Sequence, residues 1–111
     1  MSSDLLKILE TNEKRFAEIT ELLADPRTIA DKNRYRELTK EHSSLAEIIE
    51  VGKQFRYLFS QVEENREIVS FSNDQELVEL AQTETAELEE RLKAVQSRLE
   101  LLLIPRDPGD E

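Results

Sequence analysis

Apolar residues recur along this chain at helical spacing, in three blocks separated by two polar breaks. The first block, Leu5, Leu9, Asn12, Phe16, Ile19 and Leu23, alternates steps of four and three residues and is widened by Ile8 and Leu22. It predicts a helix near residues 4–24, with Ser3 as the N-cap and Asp4 where the helix dipole favours an anion. Asn12, the one polar member, sets register if buried or lies at the rim of the bundle. Asp25-Pro26 predicts the stop, because a residue before proline is pushed out of the helical region.

After a turn at Asp25-Pro26-Arg27-Thr28 the second stripe runs Tyr35, Leu38, His42, Leu45, Ile48 or Ile49, Gly52, Phe55, Phe59, Val62, Arg66 and Val69. That predicts one helix of about 40 residues, near 60 Å long. Gly52 is its weak point, because an interior glycine costs about 1 kcal/mol relative to alanine. It is either a kink or a place where a neighbouring helix comes close. The segment Ser70 to Asp74 breaks the pattern, with Ser72 or Asn73 as the next cap and Glu76 placed to reach back toward it. The third stripe is Leu77, Ala81, Glu84 or Thr85, Leu88, Leu92, Val95, Leu99 and Leu102, ended by Pro105. Its spacing of about 3.5 residues favours a left-handed supercoil.

Three helices joined by short connections run up, down, up. The expected fold is all-α: an antiparallel three-helix bundle in which helices two and three form a long coiled-coil hairpin, giving a rod or paddle. The expected domains are residues 1–105 as a single helical unit and 106–111 as the start of a linker.

Composition narrows the chemistry. The chain has 111 residues, is 38% hydrophobic and 36% charged, and carries a net charge of −10. That is thin material for a core, and it argues against a general binder of DNA or anionic membranes. No cysteine is present, which excludes disulfides, thiolate metal sites and thiol nucleophiles and favours a cytoplasmic home. One histidine excludes two-histidine metal motifs, and no apolar run approaches a membrane span. The carboxylates Glu63, Glu64, Glu67, Glu87, Glu89 and Glu90 read as solvated faces, because nothing in the pattern makes the cleft that paired catalytic acids need. His42 reads as a seam or rim residue. Ser43 and Ser44 beside it have no acidic orienter, so no nucleophile pair, cofactor or small-molecule ligand is expected.

Charge is divided unevenly. Residues 63–90 carry ten acids and one base, a net −9, whereas residues 27–40 carry five bases and two acids, a net +3. Arg27, Lys32, Arg34, Arg36 and Lys40 are therefore the candidate binding residues, able to meet a phosphate backbone by counterion release. The acidic segment would repel the same backbone.

The run Leu101-Leu102-Leu103-Ile104-Pro105-Arg106-Asp107-Pro108 resembles the close of the N-terminal domain of bacterial class I peptide chain release factors of the type reading UAA and UAG. Leu22-Leu23-Ala24-Asp25 with Thr28-Ile29-Ala30-Asp31 resembles that family's first hairpin, and Arg34-Tyr35-Arg36-Glu37-Leu38-Thr39-Lys40-Glu41 followed by Leu45 its second helix. Glu79-Leu80-Ala81 in the third helix fits as well. The resemblance spans the chain and implies a role in translation termination. The implied partners are the large-subunit stalk base, both protein and ribosomal RNA, and, for an intact factor, the class II GTPase release factor. An intact factor of this family would promote peptidyl-tRNA hydrolysis through a Gly-Gly-Gln domain and read codons through Pro-x-Thr. The two isolated glycines here cannot supply Gly-Gly-Gln, so this chain is expected to be no enzyme. Pro26-Arg27-Thr28 spells Pro-x-Thr but falls in the first turn, far ahead of the family's decoding motif. The chain stops where the family's next domain begins, so the first domain alone is expected. The alternatives are a generic coiled-coil adaptor that binds a partner helix, and a helical enzyme.

Overall fold

The computed structural model describes residues 2–104, with side chains from Asp4 onward. Four helices follow in order: α1 (Ser2–Leu23), α2 (Pro26–Ala30), α3 (Lys32–Phe71) and α4 (Gln75–Leu102). The all-α expectation holds, as does the single helix of 40 residues, α3. The chain divides into two compact units, residues 1–52 and 53–111, so that α3 contributes its first half to one and its second half to the other.

Three local expectations change. The predicted turn after Asp25 is the short helix α2. Asp25 is its N-cap and accepts a hydrogen bond from the Arg27 N–H at 2.9 Å, while Pro26 at the first helical position needs no hydrogen-bond partner for its nitrogen. Five residues are too few to show a helical period, which is why the pattern reads as a turn. Second, α1 already includes Ser2, so the helix begins ahead of the predicted start at residue 4. Third, the cap of α4 is Asp74, not Ser72 or Asn73. Its carboxylate accepts from the N–H groups of Glu76 and Leu77, and Ser72 Oγ accepts from Asp74 N–H one step earlier. The helix begins at Gln75, so Asp74 is the residue within reach of those N–H groups, and its carboxylate also complements the helix dipole. The helix ends at Leu102, ahead of Pro105, which lies outside the described residues.

In the first unit α1 and the first half of α3 run antiparallel. Leu9 lies against Gly52, Arg15 against Glu41, and Thr20 against His42, so later positions of α1 meet earlier positions of α3. Leu5, Leu9 and Ile19 are buried from α1, and Leu38, Leu45, Ile48 and Val51 from α3. Ile8 is exposed and does not widen the seam, and Tyr35 is exposed as well. Asn12 is half-buried and donates to the Ile8 carbonyl of its own helix at 2.8 Å, as a rim residue does. The helix α3 runs through Gly52 unbroken, and a Cβ there would lie 2.8 Å from Leu9 Cδ2. Close approach is therefore the role of this glycine.

In the second unit the rest of α3 packs on α4, also antiparallel. Leu58, Val62 and Leu88 form the core cluster, with Leu92 and Val95 packed against it. The seam on α3 is broader than the predicted line, since Leu58 and Asn65 are buried and Arg66 is exposed. Asn65 Nδ2 has no hydrogen-bond partner there. Leu77, placed on the predicted stripe, remains partly exposed.

Two outcomes follow. Leu88→Ala should destabilise the chain by about 2–5 kcal/mol, as truncation of a buried leucine does, whereas Glu89→Ala one residue on, which removes only an exposed ion pair with Arg66, should cost less than about 1 kcal/mol. Equal shifts in urea midpoint would place the seam elsewhere. Gly52→Ala should stabilise a Leu9→Ala background by about 1 kcal/mol through helix propensity alone. In the native background contact with Leu9 should remove that gain, and equal effects in the two backgrounds would deny the contact.

Candidate functional site

The five basic residues sit on and beside the start of α3. Asp31 links α2 to α3: its N–H donates to the Thr28 carbonyl at 3.0 Å, and its Oδ1 accepts from the Arg34 N–H at 3.2 Å. A side chain in that position satisfies an otherwise orphaned donor and fixes where the helix starts. Thr28 is buried and anchors the corner.

The cations separate into two groups. Lys32, Arg36 and Lys40 recur at four-residue steps, all exposed, on the side of α3 away from buried Leu38. Arg27 and Arg34 meet instead around an open hollow of about 300 Å³ lined also by Leu22, Asp25 and Thr28. Arg27 is already engaged, because Asp25 accepts from its Nη2 at 3.0 Å and its Nε at 3.3 Å. These hydrogen bonds, with the one from the Arg27 N–H, hold the Asp25 carboxyl below the usual carboxylate range and raise the guanidinium in turn. Among the described residues no ion pair engages Lys32, Arg34, Arg36 or Lys40, so the available positive charge is theirs.

The basic stretch is held by contacts that the periodicity did not show. Arg15 of α1 grips Glu41 in a bidentate pair, Nε to Oε2 at 2.7 Å and Nη2 to Oε1 at 3.0 Å, and also reaches Glu18. The hydrogen bond from Arg15 keeps the Glu41 carboxyl below its ordinary range, and Glu41 raises Arg15. The sequence signal was a cation and an acid each adjacent to a stripe member, Phe16 and His42, which fits many pairings. His42 stacks on Phe16 with ring centroids 4.2 Å apart, and its Nε2 lies 2.9 Å from Thr20 Oγ1. The Thr20 hydroxyl donates to the Phe16 carbonyl, so its oxygen accepts from the imidazole N–H. His42 is thus a seam residue.

The acids form no comparable site. Among the described residues no three acidic or imidazole groups come together to hold a metal ion. Glu63, Glu64, Glu67, Glu87, Glu89 and Glu90 are exposed, and Arg66, the one base of that segment, is shared between Glu63 at 3.4 Å and Glu89 at 2.8 Å. No described helix is long and apolar enough to cross a membrane.

The described residues thus form an all-α scaffold with an exposed cationic helix face, and comparison with known proteins supplies its family. The PCRF domain matches residues 12–111, and the chain belongs to that family. It is 38% identical over 103 residues to a protein of Lactobacillus delbrueckii subsp. bulgaricus named Peptide chain release factor 1, covering 93% of this chain and 28% of that protein. Proteins of the same name from Listeria welshimeri and Brevibacillus brevis are 37% and 39% identical over the same length, each covering 93% of this chain and 29% of the relative. The chain thus spans less than a third of the relatives it matches. No solved structure matches it.

The ion pair predicts a pH dependence. A carboxyl whose folded pKa is depressed contributes stability above its unfolded value, and that contribution is lost as pH falls through the folded one. Thermal midpoints should therefore decline as pH drops below about 4.5, the ordinary glutamate value, and Glu41→Gln should flatten the decline. An unchanged slope in the variant would mean that the pair does not form in solution.

Proposed function

We propose that this chain is the N-terminal helical part of a peptide chain release factor of the UAA- and UAG-reading type, acting in translation termination in the cytoplasm. The PCRF match over residues 12–111, joined by relatives named Peptide chain release factor 1, carries this reading. Residues 1–105 are the domain, and 106–111 begin the connection to a decoding domain. Codon reading and peptidyl-tRNA hydrolysis lie with other parts of such a factor, since the stretch matched here is 28% of the relative's length and this chain holds no adjacent glycines. Its own task is binding at the large-subunit stalk base, near where the class II GTPase release factor acts on the intact factor. The adaptor alternative gives no account of the family match.

The chemistry of the contact follows from the charge layout. With a net charge of −10, the molecule approaches RNA productively only through a local cationic face. Lys32, Arg36 and Lys40 supply one on a rigid helix, with Arg34 at the same end of α3 but on the side of Arg27. Affinity for the stalk-base RNA with its protein should fall steeply as salt rises. Replacing Arg34 and Arg36 by alanine should flatten that dependence by up to about two contact equivalents, with helicity retained. A salt slope unaltered by the pair would reject the start of α3 as the RNA contact.

A further inference from the structure

Tyr35 falls on the apolar stripe of α3 yet stands in water, 40% exposed. The antiparallel register explains why. With Leu9 against Gly52, Arg15 against Glu41 and Thr20 against His42, each step forward along α1 is a step back along α3, and position 35 comes about where α1 ends at Leu23. The ring therefore sits at the margin of the seam, where the covering helix gives out. Its neighbours three and four residues away on the surface of α3 are buried Leu38 and exposed Asp31, Lys32 and Thr39. Asp31 accepts from the Arg34 N–H and the Thr39 hydroxyl donates to the Tyr35 carbonyl, so both uncharged and acidic neighbours are turned to the backbone of their own helix. Lys32 leads on by four-residue steps to Arg36 and Lys40, all exposed and, among the described residues, in no ion pair.

An uncovered aromatic ring beside a row of free cations suits one kind of occupant. The cations alone would hold any phosphate backbone, paired or unpaired, by counterion release. A ring adds something that charge cannot, a flat surface on which a nucleic-acid base stacks whatever its identity. Bases offer their faces in loops, bulges and single strands, and keep them covered inside a duplex. The row from Lys32 to Lys40 is about 12 Å long, the reach of a few nucleotides of single strand. We propose that Tyr35 stacks on an unpaired RNA base while Lys32, Arg36 and Lys40 hold the flanking phosphates, so that the start of α3 selects unpaired RNA over duplex. This rests on the reading of that face as an RNA contact, and it assigns the residue that senses RNA structure where the cations sense only charge. The hydroxyl has no part in the stack, which any base can enter.

The chain has two tyrosines, Tyr35 and Tyr57, and no tryptophan, so Tyr57→Phe leaves Tyr35 as the one source of tyrosine emission. That variant is titrated with an RNA hairpin carrying an unpaired loop and with a blunt RNA duplex of the same phosphate count. The loop RNA should quench the emission and bind about tenfold tighter than the duplex, as one stacked base allows. In a binding assay Tyr35→Phe should keep that preference, because stacking needs the ring alone. Tyr35→Leu, which retains apolar bulk without an aromatic face, should bind the two RNAs alike, with the salt slope for the duplex and the helicity by circular dichroism both unchanged. The proposal is overturned if the leucine variant still prefers the loop, if the native chain binds loop and duplex equally, or if both RNAs quench alike. Should any of these occur while the alanine pair at Arg34 and Arg36 still flattens the salt dependence, the stack is wrong and the RNA reading stands. Binding of neither RNA overturns both and assigns this face to an acidic protein surface.

Discussion

Leu9 lies on the bare backbone of Gly52, where an added Cβ would meet its Cδ2 at 2.8 Å, and this approach marks the closest packing of α1 on α3 that the glycine permits. With the two helices pinned there, positions 15 and 41, then 16, 20 and 42, fall opposite one another. The Arg15–Glu41 pair and the Phe16–His42 stack are partly exposed, so their worth lies more in orientation than in free energy. The glycine gives up helix propensity and gains an intimate helix contact. In a chain only 38% hydrophobic, each such contact carries a large share of the whole.

That register decides what α3 shows to water. Because Leu38 and Leu45 turn inward, Lys32, Arg36 and Lys40 must turn outward at their four-residue steps. The corner built from Asp25, Pro26, Thr28 and Asp31 then fixes where α3 begins and brings Arg34 beside Arg27. Asp25 neutralises Arg27 locally, so two neighbouring arginines of the same formal charge have different duties: one closes a turn, and the other remains available. A count of basic residues cannot make that distinction, because it depends on which carboxylate lies within reach.

The second unit rests on a narrower seam. Leu58, Val62 and Leu88 provide its buried cluster, and Asn65 is enclosed beside them on α3 with an unpartnered amide. Asn65 is thus a polar position on a seam that is otherwise apolar. The seam leaves several large apolar residues in water along its length, among them Tyr57, Phe71, Leu80 and Leu101.

Helix type, helix length, the breaks at Asp25-Pro26 and Ser72 to Asp74, and the division of charge were all legible in the order of residues, since each arises from neighbours within about one helical turn. The resemblance at Leu101 to Pro108 and at Arg34 to Glu41 likewise pointed to the family that the PCRF match establishes. Tertiary structure decided the rest. It showed that Ile8, Tyr35 and Leu77 sit on predicted stripes yet remain in water, that Leu58 and Asn65 are enclosed although off the line, and that Arg15 selects Glu41 from among many acids. A periodic pattern specifies which side of a helix can be buried. How far along that side a partner helix reaches, and which charges it meets there, depends on residues more than 20 positions away, whose approach no local preference encodes.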